Sequence, residues 1–208
     1  MSTRRAFAYQ QGVSLIELIT FIVIISVALA GILLVMSVTT RNSADPLIHK
    51  QALAIAEAML EEVELMPFTY CDPDDASAVT ATSATVGGTG CNATKEAPGP
   101  ETIAGAVETR YGAAGVNTQF DNVNDYAGFG MAAGAILDIT GAPSGTIGYT
   151  VAPIAVTPVA LLGIPATDAN GAAQVLQITV SVDHWACEMH PCVTLDGYRT
   201  RYAPNSVP

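Results

Sequence analysis

Three groups of residues in this 208-residue chain have the types and spacing to do chemistry. The first is Glu17, one carboxylate at the head of an apolar run. From Leu18 to Thr40 there is no charged residue. An unpaired acid at the centre of a membrane helix costs about 2.5–3.5 kcal/mol on insertion scales, so a Glu kept in such a run calls for a cationic partner. The second is His184, Cys187, His190 and Cys192, two imidazoles and two thiols within nine residues. Two Cys and two His are a tetrahedral zinc set, but the spacing H-x2-C-x2-H-x-C fits no zinc pattern. The third is Asp121-Asn122-Val123-Asn124-Asp125 between Phe120 and Tyr126. Its oxygens suit calcium, yet an EF-hand loop needs ligands where this chain has Val123 and Ala132. It reads as a polar turn whose Asp and Asn satisfy nearby backbone donors. No metal site, no cofactor and no catalytic constellation is expected. There is no G-x-S-x-G, the histidines lack suitably spaced acids, and Gly87-Gly88-Thr89-Gly90 lacks the lysine and strand of a phosphate loop.

The element that would carry Glu17 is a helix. Leu18–Thr40 rises about 34 Å at 1.5 Å per residue, enough to cross a bilayer. It is too long for the 7–15-residue apolar core of a secretory signal. Arg4 and Arg5 precede it, which orients the amino terminus towards the cytoplasm and the residues beyond the helix towards the periplasm. Past the apolar run, Ile48, Ala52, Ile55, Ala56, Met59, Leu60, Val63 and Met66 recur in steps of three and four and make one helical face. Pro67 stops that helix, and Pro46 should kink or loosen it. Glu57, Glu61, Glu62 and Glu64 read as a solvated acidic face opposing the helix dipole. Gly31 is the only breaker in the apolar run.

Residues 68–146, rich in Gly, Ala, Thr, Ser and Asp, read as mostly loop, with one short strand in Ala104–Tyr111. Strands are expected over Ile147–Val156, over the alternating Gln174–Asp183 and over Val193–Tyr202, the last two forming a hairpin. The four cysteines, Cys71, Cys91, Cys187 and Cys192, form an even set in a chain with an export signal, which implies two disulfides and an oxidising compartment. Three pairings are open; proximity favours Cys71–Cys91 and Cys187–Cys192. The net charge is −11, with Lys50 and Lys95 the only lysines. That excludes nucleic acid and anionic lipid as main partners and suits a solvated domain outside the cytoplasm.

Gly12-Val13-Ser14-Leu15-Ile16-Glu17 resembles the prepilin signature of type IV pilins and type II secretion pseudopilins. Val13 stands where that family usually has Phe. The segments FDNVNDYAGF (Phe120–Phe129) and LDGYRTRYAPN (Leu195–Asn205) are similar to stretches of MshD-like minor pilins of the mannose-sensitive haemagglutinin (MSHA) pilus. The resemblance implies a prepilin peptidase that cuts after Gly12 and methylates the Val13 amine. It also implies other pilin subunits as partners through the amino-terminal helix, with Glu17 paired to a neighbour's Val13 amine. The order would be a leader at 1–12, a membrane and filament-core helix at 13–40, its amphipathic continuation at 41–66, and a periplasmic head at 67–208. The implied fold is α+β and pilin-like: a long helix packed on a small antiparallel sheet, stapled by disulfides. The implied role is a minor pilin in the inner membrane and then in the pilus. A secretion pseudopilin and a membrane-anchored periplasmic binding domain or enzyme are the alternatives.

Overall fold

The computed structural model describes residues 12–103, 105–112, 118–187, 190–205 and 207, with the backbone alone at residues 38 and 40–45. Of the expected leader only Gly12 lies within the described residues. The chain divides into two compact units after Pro46.

One helix, α1, spans Leu15–Leu65 and runs through Pro46. Proline has no N–H for the carbonyl four residues back, and its ring crowds that turn. The unit boundary falls at this weak point of the helix. Residues 47–65 therefore belong to the head rather than to a separate stalk region. In the first unit, Leu15–Ser37 is long and apolar enough to cross a membrane, and its side chains are exposed throughout. Its hydroxyls are satisfied within the helix. Thr20 Oγ1 donates to the carbonyl of Ile16 at 3.0 Å, and Ser26 Oγ to that of Ile22 at 2.7 Å. That self-pairing removes the penalty of a bare hydroxyl in hydrocarbon.

The second unit is α+β. Its helical part buries Ala52, Ala56, Met59 and Val63, with Ile48, Ile55, Leu60 and Met66 packed alongside. This is the face read from the three–four spacing. The acidic residues do not all stay in water: Glu57 and Glu61 are exposed, but Glu62 is buried. The expected solvated face is thus corrected at that residue, which is drawn inwards by an ion pair with Arg110.

A two-stranded ribbon comes next, β1 (Thr102–Ile103) with β2 (Ala106–Val107), and then a 3-10 turn, η1, at Val123–Tyr126. The main sheet is β3 (Tyr149–Val151), β4 (Ala155–Pro158), β5 (Val175–His184) and β6 (Val193–Thr200), all pairs antiparallel. β5 is central. β6 lies along one edge, from Val175↔Thr200 to Val182↔Val193. β3 and β4 succeed each other along the opposite edge, because Pro153 between them cannot donate to the ladder. Leu176, Ile178, Val180 and Val182 point into the core and alternate with half-buried Gln177, Thr179 and Ser181.

Gly197 on β6 is where the helix comes closest. A Cβ there would lie 2.8 Å from Leu60 Cδ1 and 2.2 Å from Glu64 Oε1. Two disulfides staple the fold, Cys71–Cys91 in the loop after α1 and Cys187–Cys192 across the β5–β6 turn. The second takes up both thiols that a zinc site would have needed. His190 Nδ1 lies 2.6 Å from Asp183 Oδ1, and His184 packs between Tyr149 and Trp185.

Candidate functional site: two carboxylate groups in the head

The loops between α1 and the sheet collect acids that are far apart in sequence. One oxygen each of Asp72, Asp74, Glu108 and Asp121 lies within 4.8 Å of the others; the same holds for Glu96, Glu101 and Asp125.

Local structure explains the convergence. The Cys71–Cys91 link holds the 72–75 turn, and a bridge from Cys71 to Lys95 sets Glu96 beside it. Asp75 ties this loop together. It accepts from the backbone N–H groups of Ser77, Asn92, Ala93 and Thr94 at 2.7–2.8 Å. Burial alone would raise its pKa, but these donors outweigh it and bring the value down to about 2. The β1–β2 ribbon places Glu101 opposite Glu108, whose N–H donates to the Glu101 carbonyl at 3.0 Å.

Asp121 and Asp125 sit at the start of η1. Asn122 caps that turn, and its Nδ2 donates to Thr69 Oγ1 at 2.7 Å. The N–H of Val123 reaches the Pro67 carbonyl. Phe120 meets Tyr126 edge-on at 4.9 Å and Phe129 at 5.7 Å, which buries the segment. The segment is the polar turn expected from its sequence, with Asp125 and Asn122 accepting from backbone N–H groups, and the aromatic residues on both sides draw it into the core.

Four of the acids share one arrangement. Asp72 Oδ1 accepts from Asp74 N at 2.7 Å, and Glu101 Oε1 from Ala97 N at 2.9 Å. Glu108 Oε2 accepts from Glu101 N at 3.3 Å, and Asp125 Oδ2 from Asp121 N and Asn122 N at 2.9 and 2.8 Å. The other oxygen of each is buried with no N–H donor, Asp72 Oδ2, Glu101 Oε2, Glu108 Oε1 and Asp125 Oδ1, and the Glu101 and Asp125 carboxyls are close enough to share a proton. Both carboxylate oxygens of Glu96 are in the same condition. Asp72, Glu108 and Asp125 are 1, 2 and 1 % exposed.

Burial first, and then neighbouring negative charge, raises the pKa of Asp72 to about 6, Glu108 to about 7 and Asp121 to about 8. Glu101 reaches about 9 through burial and its contact with Asp125, and burial also raises Glu96 and Asp125. Outside the two groups, Glu62 pairs with Arg110 and Asp183 with His190.

The Glu62–Arg110 pair is the head's main polar lock. Arg110 Nε and Nη2 donate to Glu62 Oε1 and Oε2 at 2.6 and 2.5 Å, and Tyr126 Oη donates to Oε1 at 2.8 Å. Nη1 adds the carbonyl of Leu137 at 3.1 Å. This fork is why Glu62 leaves the solvent. A second set of cationic contacts closes the far end. Arg199 donates to the carbonyl of Met66, and Arg201 to those of Thr69 and Ala173 while lying over the rings of Phe68 and Tyr70.

The sequence pattern brings Asp121 and Asp125 into view as calcium ligands only to set them aside, and it misses Asp72, Asp74, Glu96, Glu101 and Glu108. The signal available was a loop region, 68–126, with eight acids against Lys95 and Arg110 alone. Of the other sequence-derived residues, Gly12 and Val13 are exposed and precede α1, and Glu17 lies exposed in its first turn. They belong to the first unit, Met1–Pro46. No protein-family model, no curated protein and no solved structure matches this chain.

Proposed function

We propose that the chain is a filament subunit of the type IV pilin class, a minor pilin similar to those of the MSHA pilus. It is made in the inner membrane, cut after Gly12 by a prepilin peptidase, and held to its neighbours through the amino-terminal helix. The observation that carries this reading is the Leu15–Ser37 helix, exposed along its length and uncharged except for Glu17 in its first turn. Side chains such as Ile16, Ile22, Val27 and Leu34, each more than half exposed, must be covered by lipid or by other copies of the helix. The prepilin-like residues Gly12–Glu17 supply the rest of the support.

The mechanism is one of charge pairing. Cleavage would free an ammonium at Val13, one helical turn from Glu17. In lipid an unpartnered Glu17 is unfavourable; beside a neighbour's ammonium at about 4 Å, an effective dielectric near 20 gives about 4 kcal/mol of attraction. That difference favours a helix among helices over a helix in lipid. The test is Glu17→Leu in the full chain, in cells that make the filament. Membrane insertion should be unchanged, and recovery in sheared filaments should fall at least tenfold. Incorporation at the unsubstituted level would remove the role given to Glu17. A secretion pseudopilin shares this chemistry and differs only in its partners.

A further inference from the structure

We propose that the head is a calcium-binding domain, with one Ca²⁺ held by Asp72, Asp74, Glu108 and Asp121 and a second by Glu96, Glu101 and Asp125. The inference concerns the head alone and stands whether or not the chain enters a filament. Acidic residues cluster on many surfaces without a ligand, and clustering alone carries nothing. The decisive feature is that five of the seven acids carry a buried oxygen with no hydrogen-bond partner while placing an oxygen within 4.8 Å of the others in their group: Asp72, Glu108 and Asp125 are at least 98 % buried, and at Glu96 both oxygens are unpartnered, so the one it brings to its group is unpartnered too. Burying a polar atom without a partner is costly, and burying a charge more so. Here Asp72, Glu96, Glu101, Glu108 and Asp125 all carry such atoms. Arg110 is bound to Glu62, and Arg201 to carbonyl oxygens, with Glu96 near enough to Arg201 to attract it.

The arrangement is that of ligands held ready. One oxygen of Asp72, Glu101, Glu108 and Asp125 is fixed by a backbone N–H, so the other is aimed without further loss of side-chain freedom. The donor set chooses the ion. All ligands are carboxylate oxygens, and no histidine or thiol stands in either group. That excludes zinc and copper as preferred occupants. Calcium takes 6–8 oxygens in flexible geometry, with carboxylates binding through one or both oxygens, whereas magnesium demands a near-ideal octahedron and keeps several waters. Groups of three and four crowded carboxylates suit the larger ion. The fold gives the ions a structural role as well. Among the described residues between α1 and β3, the β1–β2 ribbon and η1 are the elements with regular hydrogen bonding. Two ions would join the 72–74 turn, the ribbon and η1.

The test uses the full chain purified in detergent and stripped with a chelator. It is then dialysed against Ca²⁺ or Mg²⁺ at about 1 mM, within the range of extracytoplasmic sites. Bound metal is read by elemental mass spectrometry and unfolding of the head by near-ultraviolet circular dichroism. Bound calcium approaching two equivalents per chain is expected, and a Tm higher in calcium than in chelator by about 1–6 °C for each site with a Kd of about 0.1–1 mM. Glu108→Gln with Asp121→Asn should remove one equivalent, and Glu96→Gln with Glu101→Gln the other. Equal Tm in calcium and chelator with no metal retained would overturn the proposal, and so would retention of both equivalents by the substituted chains. An equal rise in magnesium would overturn the choice of ion. If a substituted chain fails to fold, metal content and Tm of the unsubstituted chain decide the matter.

Discussion

Replacing Arg110 with Met should destabilise the head more than any other single polar change outside the carboxylate groups. Methionine keeps much of the apolar stem and deletes the guanidinium. Glu62 would lose the donors now at 2.6 and 2.5 Å and keep only Tyr126 Oη at 2.8 Å. The side chains of Arg110 and Glu62 are 4 and 7 % exposed, so water cannot replace what is lost. Breaking a buried ion pair from one side costs about 3–5 kcal/mol, because the remaining charge is stranded. A domain of this size shifts by about 2–4 °C per kcal/mol, which makes the expected fall in Tm about 6–20 °C. The double change Glu62→Leu with Arg110→Met removes the stranded charge as well and leaves only the Tyr126 hydroxyl to be satisfied. It should recover a large part of the loss. The assay is thermal unfolding of the full chain in detergent, monitored by near-ultraviolet circular dichroism of the head's aromatic residues. Additive losses, with the double variant as unstable as the two single ones summed to within about 0.5 kcal/mol, would refute the reasoning.

Gly197→Val should cost about 1–3 kcal/mol by overpacking, since its branches start from a Cβ already 2.8 Å from Leu60 Cδ1; an unchanged Tm would mean that the helix does not press on β6 there. The two disulfides should differ in worth. Cys71 and Cys91 close a loop with a separation of 20 residues, worth about 3 kcal/mol, and Cys187 and Cys192 one of 5, worth about 2 kcal/mol on the chain-entropy model. Paired Cys→Ser variants compared by denaturant unfolding check the order, and a larger loss at 187/192 would contradict it.

Much of the fold was legible because it rests on short-range patterns. The three–four spacing from Ile48 to Met66 located the face that packs in the head, and the alternation of β5 located both its existence and its inward side. The Ile147–Val156 stretch was harder. It reads as one strand, but Pro153 divides it into β3 and β4. Glu62 was misread because neighbours on a helix say nothing of Arg110, 48 residues further on. The carboxylate groups were hidden for the same reason. Testing Asp121–Asp125 against a contiguous calcium loop examines one turn, whereas these ligands come from five separate places between Asp72 and Asp125. The Gly12–Glu17 segment is the opposite case: plain in sequence, and completed, on the function proposed above, only by another copy of the helix.

The central claim is tested most directly by mass spectrometry of the amino-terminal peptide, in cells with and without prepilin peptidase. The expected result is a chain that begins at methylated Val13 when the peptidase is present and at Met1 when it is absent. A chain that begins at Met1 in both would contradict the filament-subunit reading and leave an anchored periplasmic domain. Cleavage well downstream, between residues 28 and 40, would contradict it as well, by making the apolar segment a discarded export signal.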